Sequence, residues 1–288
     1  MSLLAKKRVV LELLRRSVGA QERLAVAFSG GVDSTLLLAL AREALGERVL
    51  AVTADSPSLA RAEREACRRQ AAALGVPLRF LATREHERAA YRANAGDRCY
   101  HCKSELFETL AREVLGRDGV AAVAYGATAD DLGDHRPGMR AAQEHGVLAP
   151  LLEAGLGKEE VRILSREAGL ETWDKPAQPC LASRVPYGQE VRPEVLERID
   201  RAEALLRQLG FRELRVRHHA QPLGGPIARV ELPPADLPRA LEPSRREALL
   251  SGLRALGFEF VTLDLGGLRS GGLNALLRKL PVVTGEPL

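Results

Sequence analysis

Short apolar runs alternate with helical segments through the first half of the chain, and this alternation limits the possible folds more than any other feature. Four runs have the length and composition of buried parallel strands: 24–28, 49–52, 77–81 and 120–125. Residues 35–45 and 59–74, which lie between the first three, have helical character. Strands that alternate with helices form right-handed β-α-β units, so we predict an α/β fold with a doubly wound parallel sheet. Ligands of such sheets bind at the carboxyl ends of the strands.

The pattern changes near Trp173. Residues 173–180 are rich in proline and cannot form an ordinary helix. The elements predicted after this stretch follow the order α-β-β-α-β. We therefore predict a second, smaller α+β domain, with residues 1–188 in the first domain and residues 189–288 in the second.

Composition restricts the classes of partner. The chain has 42 basic and 38 acidic residues, a net charge of +4, and this mild excess suits anionic small molecules without implying RNA or DNA binding. No stretch approaches the ~20 consecutive apolar residues that a membrane span needs, and the first residues lack the pattern of a signal peptide. We expect a cytoplasmic protein, in which the four cysteines stay reduced.

The segment that follows the first predicted strand reads Ser-Gly-Gly-Val-Asp-Ser, residues 29–34. Two glycines let the backbone turn sharply and approach a ligand closely, and the N–H groups at a helix start form a cradle for phosphate. It is not a Walker A loop, because no lysine follows the glycines. Its carboxylate, Asp33, suits a bound Mg²⁺. The alternative is an ordinary strand-to-helix turn in which Asp33 stabilises the helix start.

A cysteine pair stands in the segment Arg-Cys-Tyr-His-Cys-Lys, residues 98–103. Because cytoplasmic thiols stay reduced, a Cys-x-x-Cys pair there is more often a metal, redox or catalytic device than a disulfide. We place Cys99 and Cys102 at the start of a helix, where the helix dipole and two basic neighbours favour thiolates.

The loop at 29–34 resembles the pyrophosphate loop of the ATP pyrophosphatase superfamily, whose members cleave ATP between its α and β phosphates and adenylylate a substrate. Three further segments, 97–103, 126–138 and 179–188, select a branch of that superfamily. Together with the loop they resemble the LarE family of ATP-dependent sulfur transferases. Segments near 215–217, 228–233 and 261–267 also match, so the resemblance covers almost the whole chain.

The resemblance implies a specific reaction. LarE-type enzymes use ATP and Mg²⁺ to adenylylate the carboxylates of pyridinium-3,5-biscarboxylic acid mononucleotide and then replace the activated oxygen with sulfur. The product later takes up nickel and becomes the pincer cofactor of lactate racemase. On this view the first domain binds ATP and the second serves substrate binding or oligomerisation. We expect the chain to form a homo-oligomer. Its expected partners are a sulfur donor and a downstream nickel-inserting protein, and we expect it to bind neither nucleic acid nor a membrane.

The resemblance also assigns residues to ATP and its magnesium ion: Ser29, Gly30, Gly31, Asp33, Ser34, Gly126 and Asp130. Asp130 follows the fourth predicted strand, where its carboxylate could reach Mg²⁺ or the nucleotide. Helix capping, or a solvated position in a loop, is the alternative for this residue.

Further residues are assigned to the substrate and to catalysis. Cys180 and Arg184 are the catalytic candidates, since a guanidinium could stabilise an anionic substrate or lower the pKa of the thiol. Arg215 and Arg217, two apart on a predicted strand, face the same side and suit a substrate phosphate. Glu203 and Glu231 sit at matching functional positions and would bind metal or substrate. For these glutamates and for the arginine pair, a solvent-facing surface is the alternative.

Two sulfur sources are known in the family: a cysteine at the position of Cys180 that gives up its own sulfur, and an iron–sulfur cluster held by three cysteines. This chain has all three, Cys99, Cys102 and Cys180, and we predict a [4Fe–4S] cluster on them. A zinc site completed by His101, or a disulfide with a sacrificial thiol, also fits three cysteines. Cys67 has no motif context, and we expect its role to be structural or incidental.

Three other functions compete with this prediction. A tRNA thiolase of the same superfamily would need an RNA-binding surface, and only 4% of the residues are aromatic. An ammonia-dependent synthetase, such as NAD synthetase, would not need Cys180. A non-catalytic nucleotide or iron–sulfur binding module would release no pyrophosphate from ATP.

Overall fold

A computed structural model describes residues 1–133 and 137–269. The chain divides into two compact units, the first formed by Met1–Tyr91 and Asp97–Pro179 and the second by Arg92–Gly96 and the chain from Cys180 onward. Because residues 134–136 and 270–288 are not described, the matched segment 126–138 and the predicted second domain lie partly outside the described residues.

The observed division differs from the predicted boundary between residues 188 and 189. It falls between Pro179 and Cys180, and the short segment Arg92–Gly96 joins the second unit. Hydrogen bonds explain this association: Asn94 Nδ2 donates to the carbonyl of Pro186 (2.8 Å), and Val191 N donates to the carbonyl of Arg92 (2.9 Å). Such bonds between distant segments leave no signal in local sequence.

The first unit contains a four-stranded parallel sheet, as predicted. Its strands are β1 (Arg23–Ala27), β2 (Val49–Asp55), β3 (Leu78–Ala82) and β4 (Val120–Tyr125), in the order β3-β2-β1-β4. Both neighbours of β1 run parallel to it, with Ala25 opposite Leu50 on one side and Val123 on the other. The chain order therefore reverses beside β1, where ligands of open α/β sheets bind.

Helices cover both faces of this sheet. They are α1 (Leu3–Arg16), α2 (Val32–Leu45), α3 (Arg61–Ala73), α4 (Ala89–Arg92), α5 (Arg98–Glu113), α6 (Pro137–Glu144), α7 (Pro150–Glu153) and α8 (Lys158–Glu167). Successive residues of β1 point to opposite faces: Leu24 and Val26 belong to the core with α1 and α2, whereas Ala25 and Ala27 belong to the core with α5. Apolar burial on both faces explains why the strands read as continuous apolar runs.

The second unit contains a separate three-stranded sheet. It is built from α9 (Pro193–Gln208), β5 (Arg215–His219), β6 (Ile227–Glu231), α10 (Leu237–Ala240), α11 (Pro243–Ala255) and β7 (Phe260–Leu263). β6 lies in the centre, antiparallel to β5 and parallel to β7. The predicted α-β-β-α-β order is therefore present, with the short α10 added.

No helix within residues 1–133 and 137–269 is long and apolar enough to cross a membrane.

Candidate active site

The loop between β1 and α2 is closed by its own hydroxyl groups. The backbone N–H of Ser29 donates to Ser34 Oγ (3.3 Å), and that hydroxyl donates to the carbonyl of Gly31 (3.1 Å). Thr35 Oγ1 donates to the same carbonyl (2.9 Å). These bonds hold the loop against the first turn of α2, where backbone N–H groups and the positive end of the helix dipole favour phosphate.

Gly30 is required both by its conformation and by its neighbours. Its φ of +68° lies in the left-handed region. A Cβ atom at this position would lie 3.0 Å from Cys67 Sγ and 3.2 Å from Gln70 Oε1, both on α3. Cys67 is fully buried, and burial raises the pKa of its thiol. The position of Cys67 beneath the loop supports the predicted structural role.

The end of β4 is pressed against the same loop. A Cβ atom on Gly126 would lie 2.9 Å from the backbone nitrogen of Ser34 and 3.0 Å from the carbonyl carbon of Asp33. Backbone atoms cannot move aside as a flexible side chain can, so only glycine allows this approach. The structure therefore brings together Gly126 and the loop, two features that lie far apart in the sequence.

The two carboxylates assigned to ATP have different surroundings. Asp33 lies in the first turn of α2, and its Oδ1 atom is buried. Asp130 lies in the 3₁₀ segment after β4, and its Oδ2 accepts a hydrogen bond from the backbone N–H of Lys158 (2.5 Å), the first residue of α8. Asp130 therefore caps a helix, which was the alternative from sequence. Its role toward Mg²⁺ or the nucleotide stays a prediction.

One residue that contacts the loop at 29–34 from a distant segment was missed by sequence reasoning. Lys175 Nζ donates to the carbonyl oxygen of Gly30 (3.0 Å) and to Glu63 Oε2 (2.6 Å). Lys175 stands 145 residues after Gly30, in the proline-rich stretch that we read only as a loop. No local pattern links the two positions.

In the second unit, Arg184 is buried beside the backbone of Cys180. Its guanidinium forms a two-pronged pair with Glu203 (Nε to Oε1, 2.8 Å; Nη2 to Oε2, 3.2 Å). Arg184 Nη1 donates to the carbonyl of Cys180 (3.1 Å). The cysteine side chain itself is exposed. Arg184 thus connects the position of the cysteine to a buried carboxylate of α9.

Arg217 is the centre of a second buried ion pair. Its guanidinium bonds both carboxylate oxygens of Glu231 (2.9 and 2.8 Å), and its Nη1 donates to the carbonyl of Ser183 (2.6 Å). Glu231 also pairs with Arg229 (3.2 Å). Since Ser183 precedes Arg184, this pair and the Arg184–Glu203 pair both support the segment that begins with Cys180.

Arg215 lies two residues from Arg217 on β5 and is also buried. Its Nη1 donates to the backbone carbonyl of Arg269 (2.8 Å). Burial lowers the pKa of Arg215, and the neighbouring positive charges of Arg217 and Arg184 lower it further. An anion beside Arg215 would offset all three effects.

Comparison with known proteins assigns the fold and the family. The asparagine synthase family model matches residues 9–150, which include all four strands of the first sheet. An uncharacterised protein from Synechocystis is 44% identical over 93% of this chain and 98% of its own length. An argininosuccinate synthase from Halobacterium salinarum is 36% identical over 47% of this chain and 36% of its own length.

The decisive similarity is to the pyridinium-3,5-bisthiocarboxylic acid mononucleotide synthase of Lactiplantibacillus plantarum, which is 36% identical over 99% of both chains. The chain belongs to the LarE family. The resemblance seen in the sequence motifs is therefore confirmed, and as a LarE-family member the protein is an ATP-dependent sulfur-transferring enzyme.

The three cysteines predicted to hold the cluster lie in both units. Cys99, exposed, and Cys102, half-buried, occupy the first turns of α5, which begins at Arg98 as the helix prediction required. His101 between them contacts Asp97 (3.1 Å). All four cysteines lie in the described residues, and each is a thiol rather than half of a disulfide.

Within either unit, the described residues do not assemble a metal centre. In the described part of each, no three side chains of histidine, cysteine, aspartate or glutamate are grouped as a metal ion would require. Cys99 and Cys102 belong to the first unit, whereas Cys180 begins the second. The predicted cluster therefore stays a prediction based on sequence.

Proposed function

We propose that this LarE-family enzyme adenylylates the carboxylates of pyridinium-3,5-biscarboxylic acid mononucleotide and converts them to thiocarboxylates. The observation that carries the proposal is the 36% identity, over 99% of both chains, to a synthase named for the bisthiocarboxylic product. The loop at residues 29–34 and the buried arginines of the second unit support it, because the reaction needs a site for ATP and a site for an anionic nucleotide.

The first step is the activation of a carboxylate. A carboxylate is a poor electrophile, so its oxygen attacks the α phosphorus of ATP, pyrophosphate leaves, and an acyl adenylate forms. The loop binds the phosphates through the backbone N–H groups at the start of α2. Asp33 offers the carboxylate oxygen that Mg²⁺ prefers, and the ion would offset the charge of the phosphates.

The second step is the attack of sulfur. A thiolate or sulfide attacks the acyl carbon, and AMP departs with the oxygen that came from the carboxylate. Cys180 is exposed, so its thiol is accessible to an incoming acyl adenylate. Arg184 fixes the backbone of Cys180 through its carbonyl. We assign Arg184 the task of positioning this cysteine.

Arg215 and Arg217 provide the positive charge that a mononucleotide phosphate needs. Glu231 offsets the charge of Arg217, whereas burial and neighbouring cations destabilise the charge on Arg215. Arg215 therefore gains most from an incoming phosphate. The observed bonds favour a supporting role for Glu203 and Glu231, which hold Arg184 and Arg217 in place; direct contact with metal or substrate stays a prediction.

Replacing Arg215 with alanine should weaken binding of the mononucleotide substrate by roughly 2–3 kcal/mol, the contribution of one or two charge-assisted hydrogen bonds. Affinity for ATP, measured in the same calorimetric titration series, should change little. Arg239→Ala is the control, because Arg239 is also an arginine of the second unit that donates to a backbone carbonyl, that of Gly210 (3.2 Å). An equal loss of both affinities in Arg215→Ala would show that Arg215 supports the fold instead.

For the sulfur source, we propose a [4Fe–4S] cluster on Cys99, Cys102 and Cys180. Three thiolates leave one iron of such a cluster without a protein ligand, and that iron would carry the sulfide to be transferred. Sequence and donor chemistry support this assignment: the three side chains are thiols with exposed or half-buried positions. Sacrifice of Cys180 is the competing route.

One anaerobic experiment tests both the proposed reaction and the proposed sulfur source. The reconstituted enzyme, given Mg²⁺, ATP and pyridinium-3,5-biscarboxylic acid mononucleotide, should release pyrophosphate and form thiocarboxylates detectable by mass spectrometry. Pyrophosphate release with no sulfur in the product would contradict the proposed function. Ammonia incorporation instead would indicate a synthetase of the same superfamily.

The same samples identify the sulfur source. A cluster requires about four iron atoms per chain and an unchanged Cys180 peptide after turnover. Alanine at any one of Cys99, Cys102 or Cys180 should then remove both iron and sulfur transfer, whereas Cys67→Ala should retain both. Full transfer by Cys99→Ala, with dehydroalanine at position 180 after one turnover, would establish the sacrificial route.

The proposal also carries expectations about the setting of the enzyme. We expect a cytoplasmic homo-oligomer that receives sulfur from a separate donor. Its product would pass to a nickel-inserting protein. Size-exclusion chromatography with light scattering measures the oligomeric state directly.

A further inference from the structure

The phosphate-binding loop has no cation in its own sequence. Residues 29–35 read Ser-Gly-Gly-Val-Asp-Ser-Thr, whose only charged side chain is the negative Asp33. A Walker A loop, by contrast, carries a lysine that reaches the β and γ phosphates. The helix dipole of α2 is equivalent to only about half a positive charge. Mg²⁺ on Asp33 would offset part of the charge of a triphosphate, and a cation from elsewhere in the chain would offset more of it.

Lys175 brings an ammonium group to the loop from the far end of the first unit. Its Nζ lies 3.0 Å from the carbonyl oxygen of Gly30 and 2.6 Å from Glu63 Oε2. The side chain is 20% exposed. The charge is therefore in contact with the loop, and a ligand in the loop could reach it.

The backbone around Lys175 is held without the ammonium. Arg162 donates from Nη1 to the carbonyl of Trp173 (2.7 Å) and from Nη2 to the carbonyl of Lys175 itself (3.0 Å). The guanidinium of Arg166 stacks over the Trp173 ring, 5.2 Å from its centroid. These contacts anchor the segment to α8, so a purely structural requirement for the lysine charge is weak.

An ammonium has three protons to donate. In the described structure Gly30 and Glu63 accept two of them. A third remains for a phosphate oxygen, and it is available without breaking either bond. Glu63 directs the ammonium to the loop, and the raised pKa of Cys67 keeps that nearby thiol neutral, so the thiol adds no competing negative charge.

We propose that Lys175 is the lysine of this phosphate loop, supplied through space, and that its ammonium binds the β and γ phosphates of ATP and then the pyrophosphate product. The proposal rests on the use of ATP by the LarE family and is independent of the sulfur-accepting substrate. It assigns to the first unit a phosphate-binding residue that lies outside every ATP-binding motif in the sequence.

The test is calorimetric binding of three probes, Mg-ATP, magnesium pyrophosphate and AMP, to the full-length chain with no sulfur acceptor present. Lys175→Met should weaken ATP and pyrophosphate binding by about ten- to one-hundred-fold, the effect of a lost charge-assisted hydrogen bond. AMP binding should not change, because AMP lacks the β and γ phosphates. Lys175→Arg should restore part of the pyrophosphate affinity.

Lys6 provides a matched control. Its Nζ donates to the carbonyl of Gly155 (2.7 Å) and to Glu160 (2.7 Å), and its side chain is 18% exposed, so it has the same kinds of partner and similar burial away from the loop. Lys6→Met should therefore reproduce any effect on stability without any effect on the three affinities.

Glu63→Gln keeps the test decisive even if Lys175→Met does not fold. That variant removes the ion pair but leaves the ammonium, so pyrophosphate should bind as tightly as before or more tightly. If Glu63→Gln weakens pyrophosphate and AMP alike, the lysine and glutamate form a structural link and the proposal is wrong. The proposal is also wrong if Lys175→Met folds and leaves pyrophosphate affinity unchanged, or lowers AMP affinity equally.

Discussion

Replacing Asp33 with alanine should abolish the release of pyrophosphate from ATP while leaving the fold intact. The carboxylate lies in the first turn of α2, with one oxygen buried in the loop. A bound Mg²⁺ contributes several kcal/mol of charge stabilisation in a phosphate-transfer step, so its loss should slow pyrophosphate release by about one-hundred-fold or more. Quantifying pyrophosphate after incubation with ATP and substrate measures the effect.

The control separates catalysis from helix stability. Glu159 occupies the corresponding position in α8, the second residue after a glycine N-cap, and is exposed. Either replacement by alanine should cost about 0.3–1 kcal/mol through the lost interaction with the helix dipole. Only Asp33→Ala should lose activity. If it releases pyrophosphate at the rate of the unchanged enzyme, the assignment of Asp33 to Mg²⁺ is wrong.

Replacing Glu203 with alanine should destabilise the second unit by about 3–5 kcal/mol, the cost of leaving a buried cation without its partner. Glu203 is 0% exposed, and its carboxylate accepts hydrogen bonds from Arg184, from Arg207 and from the backbone N–H of Val216 (3.2 Å). Without it, the buried Arg184 loses the carboxylate that holds both prongs of its guanidinium. Urea unfolding, together with hydrogen exchange at the amide of Val216, measures the loss.

Arg207→Ala is the matched control for Glu203→Ala. It removes the more exposed partner of the Glu203 carboxylate, since the Arg207 side chain is 33% exposed. The loss of stability should therefore lie within the ~0–1 kcal/mol of a surface ion pair. If Glu203→Ala proves as stable as the unchanged protein but fails to bind the mononucleotide, then Glu203 contacts substrate or metal directly. That outcome would restore the role assigned from the family motif.

Much of the first unit could be predicted because its signals are local. The four strands were expected at 24–28, 49–52, 77–81 and 120–125 and are found within a few residues of those positions. A strand buried on both faces needs an uninterrupted apolar run, and that requirement is visible in any short window of sequence. The loop at 29–34 is likewise local, since glycine and hydroxyl side chains shape the backbone over a few residues.

The helices of the first unit that follow β4 were not predicted individually. α6, α7 and α8 are short segments of 8, 4 and 10 residues, and short helices depend more on tertiary packing than on their own propensity. The observed boundary between the two units differs from the predicted one for a related reason. Residues 92–96 join the second unit through hydrogen bonds to a segment more than ninety positions away.

What the sequence by itself determined is therefore the parallel sheet, the phosphate-binding loop and the family. Tertiary structure alone decided which distant charges meet: Lys175 with Glu63, Arg184 with Glu203, and Arg217 with Glu231. The physical reason is the range of the interactions. Backbone periodicity and turn geometry act between near neighbours in sequence, whereas an ion pair depends on how folded segments approach each other and on how much water their packing excludes.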